Sequence, residues 1–585
     1  MTTSGRRAFK TMKNTTVGSG AEAVLETFDQ LGIDRIFLNP GIDLVPLMAA
    51  TAHFARAGRK GPRLITCTDE SVAVAAAHGA AMVSEKTQVV AVFEDIGLLQ
   101  GGGAIANLNY GQIPVILLSG RNSSSGRLNW AREPFDQRKI VRDYVKWDHE
   151  AKDGEDLSAV LREAARIASS DPCGPVYIDF PRNLLLSPSG QSEPRFAVEG
   201  ARVSSDSNSE VITQIARVMV EANNPLILTA YSGRHADTVA TLIELAELLG
   251  ARVVTTDRRM NFPSTHPLCP GIDCIRGDSY DHYIAEADVV MAIDYDFPGP
   301  MPKAIQPHGD ATLIHIDNEP LKYGKPLWNR PANIVVQDDS SHVLPELVHA
   351  VRGILSTDHR ERFAARAKQI ADEHQKAKDE RRKNGRVEAN RGSISPEWLA
   401  FCLNEVLDDD TIIVHQIPSH ADALAQHLTR TKPGTIFTWG GKAGSMGWSL
   451  PAAFGAKVAA SDKAVVSLIG DGGFIYGCPT ATLWGAHAYN APFLTVIFNN
   501  SAYASFRDVM AMYYGEDMKE AIGGELGFEA GVTINDPPDF AGIARACKAY
   551  GETVTDPSEI PLSIKRAQEE VKGGRSAVLD VKLNR

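Results

Sequence analysis

The chain has 585 residues, too many for one compact core, and typical domain sizes predict three or four domains. Hydrophobic residues make up 43% and charged residues 23%, an ordinary globular balance, while a formal net charge of −12 opposes an electrostatic grip on nucleic acid or an anionic membrane. No apolar run is long enough to cross a bilayer and none follows the polar, basic N-terminus, so a cytoplasmic protein acting on small molecules is expected.

Seven cysteines are scattered without a CxxC pair, which fits neither a disulfide framework nor a zinc site. They are expected to be reduced and mostly buried.

In chain order, residues 15–185 alternate helical segments (GAEAVLETFDQLG, ESVAVAAAHGAAMVSE) with short apolar runs (DRIFLN, QVVAVFE, PVILLSG, PVYIDFP), the pattern of a parallel α/β sheet. The Ser- and Pro-rich stretch LSPSGQSEPRF marks a boundary. NPLILTA, ARVVTTD, ADVVMAIDYD and ATLIHID then repeat the theme in a middle domain over 200–355. Residues 356–394 read as a charged helical linker with a solvated face. A third α/β domain spans 395–585, opening at Ser395 as N-cap with Pro396 in the first helical turn. The fold class is therefore three Rossmann-like or flavodoxin-like parallel-sheet domains, and in such sheets ligands sit beyond the carboxyl ends of the strands.

Two of those strand ends carry the chemistry. KAVVSLI ends in Gly470-Asp471-Gly472, and after 26 intervening residues APFLTVIF ends in Asn499-Asn500. Glycine lets a backbone approach phosphate, while Asp and Asn offer the hard oxygen ligands that Mg²⁺ selects together with phosphate oxygens. Alone, a GDG is usually a turn and an NN a loop start. On consecutive strands at this spacing they describe a diphosphate-plus-metal site.

This pairing resembles the signature of thiamine-diphosphate enzymes, and the resemblance extends over nearly the whole chain to the acetolactate synthase-like superfamily, with pyrimidine-binding, middle and diphosphate-binding domains. It implies thiamine diphosphate and Mg²⁺ as cofactors. Asp471, Asn500 and the main-chain carbonyl of Ala502 would hold the metal, and Gly470, Gly472 and Gly473 would meet the diphosphate, with Ser419 and His420 alongside. It also implies that Glu70, followed nine residues on by Gly79 in an Ala-rich helix, is the acid at the pyrimidine N1′ that drives cofactor activation. A glutamate opening a helix is also what the macrodipole would select, and Asp69 could serve as the cap. In GGKAGSMGWSLPAAFGAK the resemblance gives the Gly444 carbonyl to the cofactor's 4′-amino group and makes Met446 the wedge that bends it.

The loop after QVVAVF carries Glu94, Asp95 and Gln100 where relatives have a Ser-Gly-Pro-Gly type sequence. Glu94 or Asp95 is expected to handle substrate protons and Gln100 to border the cofactor, the alternative being a solvated acidic turn. Past Asn500, a long polar and aromatic loop carries Tyr503, Arg507 and Glu529 as substrate-pocket candidates, with Glu529 the reserve catalytic residue for substrate protons. The middle domain shows no FAD or ADP fingerprint, since YDFPGPMP replaces an expected Arg-rich segment, and is read as vestigial.

The expected activity is that of a 2-oxo acid decarboxylase or carboligase, acting on a small 2-oxo acid or hydroxyketone. The alternatives are a 2-hydroxyacyl-CoA lyase or oxalyl-CoA decarboxylase acting on acyl-CoA, and a catalytically silent cofactor-binding homologue, against which Glu70 argues. CoA lyases of the superfamily commonly carry a C-terminal extension over the site, whereas this sequence stops at Arg585, which favours a free acid. A homodimer or homotetramer with shared active sites is expected.

Overall fold

A computed structural model describes residues 18–123, 136–188, 209–256, 258–273, 280–295, 309–321, 332–388, 392–439, 444–524 and 526–584. The N-terminal stretch, most of the Ser/Pro-rich boundary and all of YDFPGPMP beyond Tyr295 lie outside the described residues. The chain packs as two units: Met1–Ala77 with Lys86–Ala201, and His78–Glu85 with Arg202–Arg585.

The first unit is built on a six-stranded parallel sheet of β1 (Arg35–Leu38), β2 (Arg63–Thr66), β3 (Gln88–Val92), β4 (Val115–Arg121), β5 (Trp147–Glu150) and β6 (Val176–Pro181), in the order β2-β1-β3-β4-β6-β5. Strands β3, β4 and β6 are buried along their whole length, which is why QVVAV and VILLSG read as continuous rather than alternating apolar runs.

The second unit holds two further parallel sheets. One comprises β7 (Pro225–Thr229), β8 (Arg252–Thr256), β9 (Ile272–Asp273), β10 (Val289–Ile293), β11 (Thr312–Asp317) and β12 (Ile334–Gln337), ordered β12-β11-β10-β7-β8-β9. The other comprises β13 (Ile412–Gln416), β14 (Ile436–Phe437), β15 (Val465–Gly470), β16 (Leu494–Asn499), β17 (Tyr550–Val554) and β18 (Ala577–Lys582), ordered β14-β13-β15-β16-β18-β17. The first and third sheets thus share one order, beginning 2-1-3-4 as in flavodoxin-like folds, while the middle sheet has the 3-2-1-4-5-6 order of the dinucleotide-binding fold. In the third sheet the order reverses between β13 and β15, which places the ligand crevice at Gln416 and Gly470.

The charged linker is a single helix, Thr357–Glu388, but its first half is not merely a solvated face. Phe363 and Ile370 enter the middle-domain core. The Arg366 guanidinium donates to the carbonyls of Gly250 (2.9 Å), Ala222 (3.0 Å), Asn223 (2.9 Å) and Leu249, so one side chain satisfies the ends of two helices, Ser209–Glu221 and Ala236–Leu249. A charge count does not distinguish an arginine spent on helix ends from a solvated one. Ser395 does cap the helix Pro396–Val406, accepting from the Trp398 N–H at 3.1 Å.

Candidate active site

β15 and β16 are adjacent and parallel, with Gly470 opposite Phe498, so their polar ends meet at one sheet edge. Asp471 opens the short helix Asp471–Tyr476 and is 3% exposed. One carboxylate oxygen accepts from the Gly472 N–H at 2.7 Å, and the other is buried with no hydrogen-bond partner. Burial pushes this carboxyl above the usual carboxylate range. The N–H groups of Gly472, Ser501 and Ala502 act in the opposite direction, and nearby Asp580 adds repulsion.

Asn500 is buried beside it. Its side-chain oxygen accepts from the Ala502 N–H at 3.0 Å, and its Nδ2 lies 3.1 Å from His420 Nε2, with Asn500 donating. His420 stacks on Phe498, and the Ser419 hydroxyl accepts from the Ser505 N–H at 3.1 Å. Asn499 turns the other way, donating to Asp580 at 2.7 Å and accepting from the Ser501 N–H at 3.1 Å, which leaves Asn500 as the residue of the pair that faces Asp471's loop.

An orphaned buried carboxylate oxygen beside a buried side-chain amide oxygen offers hard-oxygen donors of the kind a divalent cation takes. Among the described residues no group of three or more His, Cys, Asp or Glu could hold a metal. At Gly470 a side chain would project into open space, Gly472 packs against the Tyr503 ring, and Gly473 lies on Ile469.

Gly444 and Met446 lie on the segment preceding the helix Ser449–Ala459. That segment is held by Gln416, which the sequence reading did not single out. Gln416 donates to the Ser445 carbonyl at 3.0 Å and accepts from the Trp448 N–H at 2.7 Å. Its place as the last residue of β13 was the available signal. Gly447 has φ +78 and abuts the Tyr476–Gly477 backbone, so only glycine suits it. Met446 is half-buried and Gly444 exposed.

In the first unit Glu70 is the first residue of the helix Glu70–Ser84 and is 7% exposed. The capping role falls to Asp69, whose Oδ1 accepts from the N–H groups of Ser71 (2.8 Å) and Val72 (3.4 Å). Glu70 is therefore not consumed as a cap. Gly97 presses on it, a Cβ there meeting Glu70 Oε1 at 3.0 Å. Gly79, by contrast, groups with the second unit, where an added Cβ would stand 2.0 Å from the Ala452 carbonyl. Its neighbour His78 is fully buried edge-on to Trp448.

The expected acidic loop is a helix, Glu94–Gln100, and the solvated-turn alternative fails for Glu94, which is 1% exposed. Asp95 is half-buried, and Gln100 is exposed and donates to Asp69 at 3.3 Å. Asp43 was also missed. Fully buried, it accepts from the N–H groups of Gly120 (2.8 Å) and Glu94 (3.4 Å), tying the ends of β4 and β3 to the loop after β1, and burial raises its pKa.

The long loop after Asn500 is instead two helices, Ala504–Tyr514 and Glu516–Gly523, separated at Gly515, whose φ is +90. Tyr503 and Arg507 stay beside the Asn500 loop, but Glu529, the reserve proton-handling candidate, is exposed to solvent.

Gln416, Asp471 and Asn500 thus gather at the carboxyl ends of the third sheet's strands, where open α/β sheets bind ligands. Comparison with known proteins agrees. Residues 18–140, 212–347 and 417–581 match the models of the N-terminal thiamine pyrophosphate (TPP) binding domain, the central domain and the C-terminal TPP binding domain of thiamine pyrophosphate enzymes, together well over half of the chain. The chain is 26% identical over 564 residues to the probable acetolactate synthase large subunit of Methanocaldococcus jannaschii, covering 94% of this chain and 89% of that protein. It is 25% identical over 572 residues to the acetolactate synthase isozyme 3 large subunit of Escherichia coli, covering 96% and 94%. Among solved structures, the thiamine diphosphate-dependent 4-hydroxybenzoylformate decarboxylase of Rhodococcus jostii RHA1 superposes with a TM-score of 0.78 at 20% identity, covering 97% of this chain and 99% of that one. The chain belongs to the thiamine-diphosphate-dependent enzymes of the acetolactate synthase-like superfamily.

Proposed function

We propose that this protein is a thiamine-diphosphate- and Mg²⁺-dependent enzyme that makes or breaks a carbon–carbon bond next to a carbonyl, acting as decarboxylase or carboligase on a small 2-oxo acid or hydroxyketone. The observation that carries this reading is the buried Asp471 carboxylate with one unpartnered oxygen, beside Asn500 at the joined ends of β15 and β16.

When bound, thiamine diphosphate supplies an electron sink for the bond that is cleaved or formed. Asp471, Asn500 and the Ala502 carbonyl hold the metal, with His420 fixing the Asn500 amide. Gln416 sets the segment carrying the Gly444 carbonyl and Met446. Gly470, Gly472 and Gly473 keep side chains away from the diphosphate, and Ser419 and Gln100 border the cofactor. Glu70, with Asp69 doing the capping, holds a proton at the pyrimidine N1′. Glu94 and Asp95 handle substrate protons, buried Glu94 being better shielded from water than exposed Glu529.

A homodimer or homotetramer with shared sites belongs to the same reading. Phe506, Val509, Met512, Tyr513 and Tyr514 are exposed on the helix after the metal loop, which supports burial against a second copy. Among the described residues no helix is long and apolar enough to cross a membrane. The middle domain is taken as a vestigial nucleotide-binding domain.

Turnover of a panel of 2-oxo acids, hydroxyketones and 2-hydroxyacyl-CoA thioesters, with thiamine diphosphate and Mg²⁺ present, tests the activity. Consumption of thioesters but of none of the free acids or ketones overturns the substrate class. No turnover of any compound by cofactor-loaded protein overturns the enzymatic reading.

A further inference from the structure

Beside the metal loop lies a cavity of about 140 Å³, lined by Ser501, Ala502, Arg507, Ile522, Phe528 and Thr533 among others. Two of these residues directly follow Asn500, so whatever occupies the cavity sits next to the metal ligands. Arg507 enters it from the first turn of the helix Ala504–Tyr514, with its Nη1 against Gly523. The guanidinium is half-buried, and among the described residues it makes no ion pair or hydrogen bond and no acidic side chain lines the cavity. The acid next to it in sequence, Asp508, pairs instead with Lys519 at 3.4 Å. A guanidinium held partly out of water without a counter-charge is costly, and its planar fork matches a carboxylate.

We propose that Arg507 and this cavity form a subsite for a second carboxylate on the substrate, one that survives the reaction, so that the preferred substrate is a 2-oxo dicarboxylic acid. This rests on the function proposed above and narrows its substrate class. The carboxylate lost in decarboxylation is a poor partner for Arg507. Its charge disperses as the C–C bond breaks, and a fixed cation on it would stabilise the ground state more than the transition state. A retained carboxylate keeps its charge throughout, so Arg507 can hold it without slowing the chemical step. Size argues against a coenzyme A phosphate in the same place, because a cavity of about 140 Å³ falls well below the several hundred Å³ that pockets for nucleotide-sized ligands span.

The test compares 2-oxoglutarate with 2-oxopentanoate, which has the same chain length and lacks the second carboxylate, using wild-type protein, Arg507→Gln and Arg507→Lys loaded with thiamine diphosphate and Mg²⁺. Wild type is expected to prefer the dicarboxylate in kcat/KM. Arg507→Gln should lose that preference by about 10- to 100-fold, mostly through KM, and Arg507→Lys should restore part of it. Calorimetric binding of unreactive glutarate should weaken in parallel, and cofactor affinity measured on the same samples shows whether each variant is folded and loaded. Equal preference for the two acids in wild type, or glutarate binding unchanged in Arg507→Gln, overturns the subsite. Failure of wild type to bind thiamine diphosphate strikes instead at the function on which it rests.

Discussion

Replacing Asp471 by Asn should reverse its stability ranking against wild type depending on whether metal and cofactor are present. The side-chain oxygen that accepts from Gly472 is retained in the amide, so that hydrogen bond survives. What changes is the other oxygen, buried and unpartnered, on a carboxyl whose charged form burial disfavours. Removing the charge relieves its desolvation cost, about 1.4 kcal/mol for each pH unit by which the carboxyl is raised. The new Nδ2, a donor facing the Ser501 and Ala502 N–H groups, offsets part of this, leaving a small net gain on the order of 1 kcal/mol for the metal-free variant. With Mg²⁺ and cofactor at about 100 times their dissociation constant, wild type gains about 2.7 kcal/mol by mass action, and the variant gains little. Calorimetric melting in EDTA should therefore place the variant above wild type, and melting with Mg²⁺ and thiamine diphosphate should place it below. A variant less stable than wild type in EDTA, or one that gains the full cofactor-dependent shift, refutes the assignment of that oxygen to a cation.

Glu70→Gln should bind thiamine diphosphate but slow exchange of the bound cofactor's C2 proton by about 10²- to 10⁴-fold in NMR, and a wild-type rate would assign the proton to another acid. His78 is fully buried with neither ring nitrogen partnered, and burial, with Arg259 adding, pushes its pKa down to about 3. A folded pKa below the unfolded value of about 6.5 means this stability is present above that pH and is lost as pH falls towards 3, so His78→Phe should flatten the acid side of the Tm profile by up to about 1.4 kcal/mol per pH unit. Of the six described cysteines, all free, Cys67, Cys269 and Cys402 are buried with thiol pKa values raised by burial, while Cys173, Cys478 and Cys547 are partly exposed. Native alkylation read by mass spectrometry should modify the second group first, and rapid labelling of Cys67 would contradict its burial.

Legibility in the sequence followed how local each signal was. The three parallel sheets could be read because fully buried strands are continuous apolar runs with turn residues at their ends, and Asp471 and Asn500 could be read because the crevice rule weights strand ends. Gln416 obeys the same rule but its hydrogen bonds reach Ser445 and Trp448, some thirty residues away, so its role appears only when the strand and that segment are brought together. Asp43 was hidden for the same reason, since its partners lie at the ends of two other strands. The acidic stretch at Glu94 and the aromatic stretch after Asn500 read as loops in sequence because their polar composition masks the helical spacing, although both are helical in the structure. Cysteine burial was overestimated, three of six rather than most, because a small apolar side chain says little about the depth of its element.

The most direct measurement is equilibrium binding of thiamine diphosphate to protein stripped of metal by chelation, with and without added Mg²⁺. Stoichiometric binding with Mg²⁺ and loss of nearly all affinity in EDTA is the expected result if, as proposed, the diphosphate meets the chain through a cation held by Asp471, Asn500 and Ala502. Equal affinity with and without the metal, or no binding in either condition, would contradict it.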